Sequence, residues 1–392
     1  MYDYLKRAKE IEKDIIKDRR HIHQNPEVGD ELPETYNYVT SRLKEMGYKP
    51  EKCAKYGVVA TVGNSGKTFM IRADMDALPM EEDSGLPFAS VYKDKAHTCG
   101  HDTHIAMLLG AAKLLKENER NLKGTVKLMF QPNEEGLNGA IDMIDDGVLN
   151  GVDRALALHI DATMPLGYLT VGRGHSFASN DFFDIEIIGK GGHAARPADA
   201  IDPINIMSHI QLAIQSLISR EATPTETNVI SITSVKAGEG AYNIIPDKAI
   251  MKGTLRTYNE EQRALLKVRL KEISEQIASV FKANAKITYH GDGIPALHCN
   301  EILSEELENY ANELLGEGYV AEKPFKKVGS EDFAYICQRI PSGYFFLGAG
   351  PDEKSVWPYG QHNPKVVHNE SAFCMGAAVY AQCASRWLEE NR

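Results

Sequence analysis

The chain has 392 residues, of which 43% are apolar and 25% are charged, and its net charge is −11. This length exceeds that of one ordinary core and indicates a soluble globular protein of about two domains. The negative charge, with acids and bases interspersed, disfavours nucleic acid and anionic membranes as partners. The N-terminus is charged throughout, and no stretch approaches ~18 consecutive apolar residues. We therefore expect neither a signal peptide nor a transmembrane helix, and we predict a cytoplasmic protein.

The first part of the chain shows alternating helix and strand patterns. Charged amphipathic helices are predicted over residues 3–23 and 34–46, the second of them closed by Gly47. Predicted strands then alternate with predicted helices, the strands at 67–73, 124–130 and 153–160 and the helices at 105–116 and near 137–146. This order predicts an α/β layer fold with a largely parallel sheet.

The pattern changes near residue 181. From there we predict, in order, a strand, a helix, two strands, a helix and a strand, at 181–189, 202–221, 228–238, 248–258, 259–283 and 285–290. This order is ferredoxin-like. We therefore predict an inserted ferredoxin-like α+β domain at 181–293, which divides the catalytic domain into 1–180 and 294–392. The first pattern resumes after Pro295, with a strand at 344–348 and a final helix from about 370.

Acids, imidazoles and a thiol stand where predicted strands end or helices begin. They are Asp74, Asp76, Cys99, His101, Glu134, Glu135, His159 and His362. The carboxyl ends of strands in an open α/β sheet are where functional residues gather. Burying so many ionisable groups side by side is costly unless a cation compensates them. Imidazole, carboxylate and thiolate together favour Zn, Mn, Co or Ni over Ca or Mg.

Two spacings refine this hypothesis. Cys99 and His101 are two residues apart, so both side chains can point the same way from an extended loop. Glu134 and Glu135 are adjacent, so in extended backbone they point to opposite sides. One glutamate can then bind metal while the other faces the substrate as a general base.

Motifs from near the start to near the end of the chain carry a family resemblance. They are RRHIHQNPEVGDEL (19–32), RADMDALPMEE (72–82), HTCGHDTHIAMLLGAA (97–112), FQPNEEG (130–136), GKGGHAARP (189–197), NIIPD (243–247), GTLRT (253–257) and GSEDF (329–333). With them the chain resembles the aminoacylase/carboxypeptidase family of two-metal amidohydrolases. The branch is that of hippurate hydrolases, N-acetyldiaminopimelate deacetylases and auxin-conjugate hydrolases. The resemblance implies a zinc-peptidase-like α/β/α catalytic domain that binds two divalent metal ions.

The resemblance also implies roles for individual residues. Glu134 resembles the general acid/base, and Asp76 resembles the aspartate that supports the site. The implied metal ligands are Cys99, His101, Glu135, His159 and His362. Deeper relatives carry a ligand histidine where this chain has Asp74, so the role of Asp74 stays open, as does the residue that bridges the metals. His104, one turn after His101, is expected to orient the site.

The insert has candidates of its own. From the sequence alone, His193 is interpreted as a structural residue of a turn. The resemblance implies instead that it reaches a neighbouring active site across a dimer and stabilises the oxyanion. Asn243 and Arg256 resemble binders of the substrate carboxylate, a task that suits the guanidinium fork of arginine. The dimer, or a higher homo-oligomer, follows from the resemblance alone.

The resulting hypothesis is metal-dependent hydrolysis of the amide bond of a small N-acyl amino acid, such as an N-acetyl or N-benzoyl amino acid or N-acetyldiaminopimelate. A dipeptidase or carboxypeptidase of the same family shares the mechanism and stays open. A catalytically silent metal-binding homologue is a second alternative. A thiol hydrolase that uses Cys99 and His101 is a third, but it leaves the other metal-type residues unexplained.

Overall fold

The computed structural model describes residues 2–316 and 318–392, which form two compact units. The first unit comprises the chain up to Gly174 together with His298–Phe325 and Asp332–Arg392. The second comprises His175–Leu297 together with Lys326–Glu331, a segment that no sequence pattern assigned to it. The domain boundaries inferred from the sequence, 180/181 and 293/294, stay a prediction.

The helices and strands follow one another in chain order. The helices are α1 (Tyr4–Glu10), α2 (Glu12–Gln24), α3 (Pro33–Glu45), α4 (His101–Glu117), α5 (Gly139–Asp145), α6 (Pro203–Ser216), α7 (Glu260–Val280), α8 (Glu301–Leu315), α9 (Ala334–Cys337) and α10 (Ser371–Glu390). The strands are β1 (Glu51–Cys53), β2 (Gly57–Gly63), β3 (Thr68–Asp74), β4 (Thr125–Gln131), β5 (Arg154–Asp161), β6 (Leu169–Phe177), β7 (Asp181–Ile188), β8 (Gly192–His193), β9 (Asn228–Ala237), β10 (Ile244–Ile245), β11 (Lys248–Thr257), β12 (Asn284–Tyr289), β13 (Leu297–Cys299), β14 (Phe325–Lys327) and β15 (Ser342–Gly348).

The first unit is built on a mixed sheet with the strand order β1-β2-β4-β3-β5-β15-β6. Its four central strands, β4, β3, β5 and β15, are parallel, and their residues are almost entirely buried. Antiparallel neighbours flank them, with β2 beside β4 and β6 beside β15. This pattern confirms the predicted α/β class, because helices must cover both faces of a sheet whose strands are apolar throughout.

Helix α4 lies at the centre of this unit. It contacts β3, α2 and α10, and the predicted apolar stripe of the helix is buried. Its first residue is His101, so the helix that anchors the core also begins at the loop that carries the candidate residue Cys99. Core packing therefore fixes the position of that loop.

Some elements differ from the sequence prediction. The helix predicted over 3–23 is interrupted at Ile11, which separates α1 from α2. The buried face continues through the interruption, with Tyr4, Ala8, Ile11 and Ile15 all buried, so hydrophobic spacing could not reveal it. The hairpin of β1 and β2 and the strand β6 were not predicted.

The second unit has a four-stranded antiparallel sheet in the order β12-β7-β11-β9. Helices α6 and α7 pack on this sheet, and their apolar side chains share one core with it. Asp202 caps the start of α6 and Asn259 that of α7, each by accepting backbone N–H bonds. The chain order and the strand order together are those of a ferredoxin-like fold. A separate short ribbon pairs β8 with β10.

A search for membrane spans gave a negative result: none of the helices formed by the described residues is long and apolar enough to cross a membrane.

Candidate metal centre

The carboxyl ends of three adjacent parallel strands bring the candidate residues of the first unit together. Asp74 ends β3, the glutamate pair follows β4, and His159 lies near the end of β5. Cys99 and His101 approach the same edge from the start of α4. The backbone between them is not extended as predicted: Gly100 has φ +111°, and His101 is already helical.

Among the groups of potential ligand atoms in this region, three overlap at Cys99, His101 and Glu135, and within each of these three the atoms lie within 4.8 Å of one another. The groups are Cys99/His101/His159, Cys99/Glu135/His362 and His101/Glu134/Glu135. Cys99 belongs to two of them. All five predicted ligands thus lie in one cluster, with Glu134 beside it. Their roles as ligands stay a prediction, but the donor set fits two transition-metal ions.

The hydrogen bonds of two histidines leave a nitrogen available to a cation. His101 Nδ1 donates to the carbonyl oxygen of Asp76 over 2.8 Å, and its buried Nε2 has no hydrogen-bond partner among residues 2–316 and 318–392. His159 Nδ1 donates to the carbonyl oxygen of Ile160 over 2.6 Å, while its Nε2 lies 3.3 Å from Cys99 Sγ. A backbone carbonyl behind each ring is the support that metal-binding histidines commonly have.

The ionisation of these groups also favours a cation. Burial raises the pKa of the Cys99 thiol well above its ordinary value, and Glu135 adds to the effect. Burial opposes a charge on His101, yet the surrounding anions, Asp74 first among them, raise its pKa well above its ordinary value. The raised pKa values of Cys99 and His101 therefore mean that protons compensate the negative charge of this cluster. A bound divalent ion would supply that compensating charge instead.

One carboxylate holds both members of the glutamate pair. Asp76 Oδ1 accepts the backbone N–H of Glu134 over 2.9 Å, and Oδ2 accepts that of Glu135 over 3.0 Å. The pair lies in a turn, closed by the N–H of Leu137 on the Glu134 carbonyl, so the expectation of extended backbone was wrong. The side chains nevertheless diverge. Glu135 Oε1 lies 3.1 Å from His362 Nε2, and Glu134 Oε2 lies 4.0 Å from His101 Nε2.

His362 reaches the cluster from a loop with a left-handed backbone. Its φ is +62°, and its N–H donates to the carbonyl oxygen of Thr98 over 2.9 Å. This bond ties its loop to the segment that carries Cys99. The contact with Glu135 raises the pKa of His362 above its ordinary value.

Asp74 lies in a fully buried network behind the cluster. Its Oδ2 accepts from Arg72 Nη1 over 2.6 Å, and its Oδ1 lies 2.5 Å from His104 Nδ1. Arg72 continues to Asp332 and Gln131, at 2.8 Å each. Burial would raise the pKa of Asp74, but the neighbouring His101 and Arg72, together with the hydrogen bond from His104, hold it well below its ordinary value.

A second buried network, which the sequence did not reveal, supports the start of α4. Asp102 Oδ2 accepts from Arg19 Nε over 2.7 Å and from His23 Nδ1 over 2.8 Å. His23 Nε2 in turn contacts Glu82 Oε1 at 3.0 Å. Burial would lower the pKa of His23, but these two carboxylates raise it. Arg19 and His23 are four residues apart on α2, and this spacing was the available signal.

Two of the candidates in the second unit lie close together. His193 in β8 is opposite Ile244 in β10, and the N–H of Ala194 donates to the carbonyl oxygen of Asn243 over 3.0 Å. The N–H of Ala195 donates to His193 Nδ1 over 3.1 Å, so the ring proton lies on the exposed Nε2.

Arg256 lies in β11, a strand of the same unit. Burial lowers the pKa of Arg256, and its Nη1 has no hydrogen-bond partner within the described part of the chain. A half-buried guanidinium whose Nη1 is unpaired among the described residues suits a ligand carboxylate.

Comparisons with known proteins agree with the family resemblance of the motifs. The model of peptidase family M20/M25/M40 matches residues 70–386. The N-acetyl-L-cysteine deacetylase of Bacillus subtilis (strain 168) is 37% identical over 97% of this chain and 90% of its own length. Thermostable carboxypeptidase 2 of Saccharolobus solfataricus is 38% identical over 97% of both chains.

A solved structure agrees with these relatives. The crystal structure of the YxeP protein of Bacillus subtilis, described as a dinuclear metal binding peptidase from the M20 family, has a TM-score of 0.84 and 32% identity. The match covers 97% of this chain and 99% of that one. The fold class and the family resemblance inferred from the motifs are thereby confirmed. The chain belongs to peptidase family M20/M25/M40.

Proposed function

We propose that this chain is a metal-dependent hydrolase that cleaves the amide bond of N-acyl amino acids. The observation that carries the proposal is the cluster of Cys99, His101, Glu135, His159 and His362 with Glu134 at its edge. The similarity to an N-acetyl-L-cysteine deacetylase along nearly the whole chain supports the substrate class.

The five clustered side chains would hold two divalent ions of Mn, Zn, Co or Ni. Such ions polarise a carbonyl group and lower the pKa of water. Glu135 joins Cys99 and His362 in one ligand group, whereas Glu134 shares no group with Cys99, His159 or His362, and its Oε2 lies 4.0 Å from His101 Nε2. We therefore assign Glu134 to proton transfer and Glu135 to metal binding.

Glu134 would act as general base and then as general acid. It takes a proton from the attacking water and returns it to the amine nitrogen that leaves. Asp76 serves both glutamates, because it accepts their two backbone N–H groups and so fixes the distance between base and ligand.

The second unit would contribute to substrate binding. We propose that His193, from a second copy of the chain in a homodimer or higher homo-oligomer, donates its Nε2 proton to the oxyanion. The hydrogen bond from Ala195 to Nδ1 favours that tautomer. Arg256 and Asn243 would bind the carboxylate of the amino acid, and the unpaired Nη1 of Arg256 supports this role.

The test compares Glu134→Gln with the wild type. We expect the variant to keep its bound metal and to lose about 10²–10⁴-fold in turnover, the usual worth of general acid–base catalysis. Glu119→Gln, on a surface turn, is the matched control and should behave like the wild type. Turnover by Glu134→Gln at the parent rate would show that the assigned base is wrong.

A carboxypeptidase or dipeptidase is the second candidate, since a carboxypeptidase is as similar to this chain as the deacetylase. The two activities differ in whether the acyl side carries a free amine. A hydrolysis screen of the metal-loaded protein over acetyl, succinyl, benzoyl and indole-acetyl amino acids and over dipeptides separates them. Bound metal without turnover on any substrate would favour the catalytically silent homologue.

A thiol hydrolase is disfavoured by the raised pKa of Cys99, because a buried protonated thiol is a poor nucleophile. Chelation distinguishes the two mechanisms. EDTA abolishes activity if metal is essential and leaves it intact if the thiol alone attacks.

A further inference from the structure

His104 lies one helical turn after His101, and both of its ring nitrogens are engaged. Its Nδ1 lies 2.5 Å from Asp74 Oδ1, and its Nε2 lies 2.9 Å from the backbone nitrogen of Ile160. Because a backbone N–H can only donate, Nε2 must be the acceptor and the ring proton must lie on Nδ1. No lone pair of His104 is then left for a metal ion.

Asp74 is anchored on its other side. Arg72 donates to its Oδ2 over 2.6 Å and is itself held by Asp332 and Gln131. Arg72, Asp74 and His104 are each at most 2% exposed. Asp74 and His104 could form a metal-binding group with His101 by distance alone. The hydrogen bonds of His104 rule out that group, because no lone pair of its ring is left, and Asp74 is a fixed anchor with one N–H donor on each oxygen.

The same chain of bonds ends at a ligand of the cluster. The N–H of Ile160 that binds His104 belongs to the peptide directly after His159. The carbonyl oxygen of Ile160 accepts the Nδ1 proton of His159 over 2.6 Å. Holding Ile160 in place therefore sets both the position of the His159 ring and its tautomer, with Nε2 directed at Cys99.

We propose that His104 is a positioning residue that connects the Asp74 anchor to Ile160 and so presents His159 Nε2 to the metal. The inference rests on the proposed function, in which His159 is a ligand. It assigns Asp74 to this support rather than to the metal. The side chain at position 104 then governs metal affinity without touching the ion.

Two substitutions of His104 each keep one of its two hydrogen bonds and remove the other. The amide nitrogen of His104→Asn can take the place of Nδ1 and keep the bond to Asp74, but the bond from Ile160 is lost. The longer His104→Gln can place its amide oxygen where Nε2 was and accept from Ile160. We expect His104→Asn to weaken Co²⁺ binding by about 10–100-fold, the usual effect of losing such a supporting contact. His104→Gln should lose less.

Binding is measured by titrating the metal-free full-length protein with Co²⁺ and following visible absorption, including the thiolate band of Cys99. Leu108→Ala, on the next turn of α4 and fully buried, controls for general damage to the helix. Its core defect should leave Co²⁺ affinity close to that of the wild type. An equal loss of affinity in Leu108→Ala and His104→Asn would overturn the proposal.

A second measurement reads the His159 ring directly. In metal-free protein labelled with ¹⁵N, we expect His159 to carry its proton on Nδ1 in the wild type and to become a tautomer mixture in His104→Asn. An unchanged tautomer together with wild-type Co²⁺ affinity in His104→Asn would refute the positioning role. If the wild type itself bound no divalent metal, the proposed function would fail instead, so the two failures are distinguishable.

Discussion

The buried pair of Arg19 and Asp102 offers a quantitative test of what holds the start of α4. Their side chains are 1% and 0% exposed, and the Nε–Oδ2 distance is 2.7 Å. Arg19→Met keeps most of the side-chain volume but leaves the Asp102 carboxylate with His23 as a hydrogen-bonding partner and without the guanidinium. Removing one partner of a buried ion pair costs about 3–5 kcal/mol, since the remaining charge is still desolvated.

A matched control is available on α1. Arg7 donates two hydrogen bonds to Glu117, but these side chains are 35% and 32% exposed. Arg7→Met should cost far less than Arg19→Met, because water replaces the lost contact. The two substitutions are chemically identical, so the difference in unfolding free energy measures the effect of burial.

The assay is urea unfolding followed by tryptophan fluorescence. Both tryptophans, Trp357 and Trp387, belong to the first unit, so the signal reports on that unit alone. Adding Asp102→Asn to Arg19→Met should restore part of the stability, because the amide removes the buried negative charge that has lost its guanidinium partner. The reasoning would be refuted if Arg19→Met cost no more than Arg7→Met, or if the double variant were the least stable of the set.

Three further outcomes are expected. Removing metal with EDTA should abolish hydrolysis and lower the thermal midpoint in fluorescence, because the buried carboxylates lose their compensating charge; an unchanged midpoint would contradict this. Asp76→Asn should weaken Co²⁺ binding and reduce turnover together, since it serves both Glu134 and Glu135; loss of one property alone would argue against the shared support. The folded-state pKa of His23 is raised, so the stability advantage of the wild type over His23→Gln should be full below about pH 6.5 and decline as the pH rises through that pKa. Thermal midpoints between about pH 5.5 and 9 measure this difference, and an advantage that grew with pH would be inconsistent with it.

Sequence patterns predicted the central elements of the fold well. The apolar runs of β3, β4 and β5 and the stripe of α4 are long and strongly periodic, and each appears where expected. The interruption at Ile11 has no local marker, because no glycine or proline stands there and the buried face continues. The strand β1 has three residues, too few for periodicity to separate it from a loop, whereas β2 has seven residues rich in valine and its pattern was available in the sequence.

For the site, strand ends identified which residues would gather but not how they are held. The double acceptance by Asp76 depends on a turn after β4 in which Asn133 has φ +59°, a conformation that asparagine tolerates but does not dictate. The bond between His104 and the N–H of Ile160 joins residues 56 positions apart. Such contacts follow from the packing of α4 against β5, and a single sequence contains no record of that distance.

Asp76 accepts hydrogen bonds from two successive backbone N–H groups, and this affects how related enzymes can diverge. Because the two glutamates that we assign to proton transfer and to metal binding share one support, we expect a substitution that adjusts either of them to disturb its neighbour as well. New substrate preferences are therefore expected to arise by mutation elsewhere in the chain, while this junction is inherited unchanged.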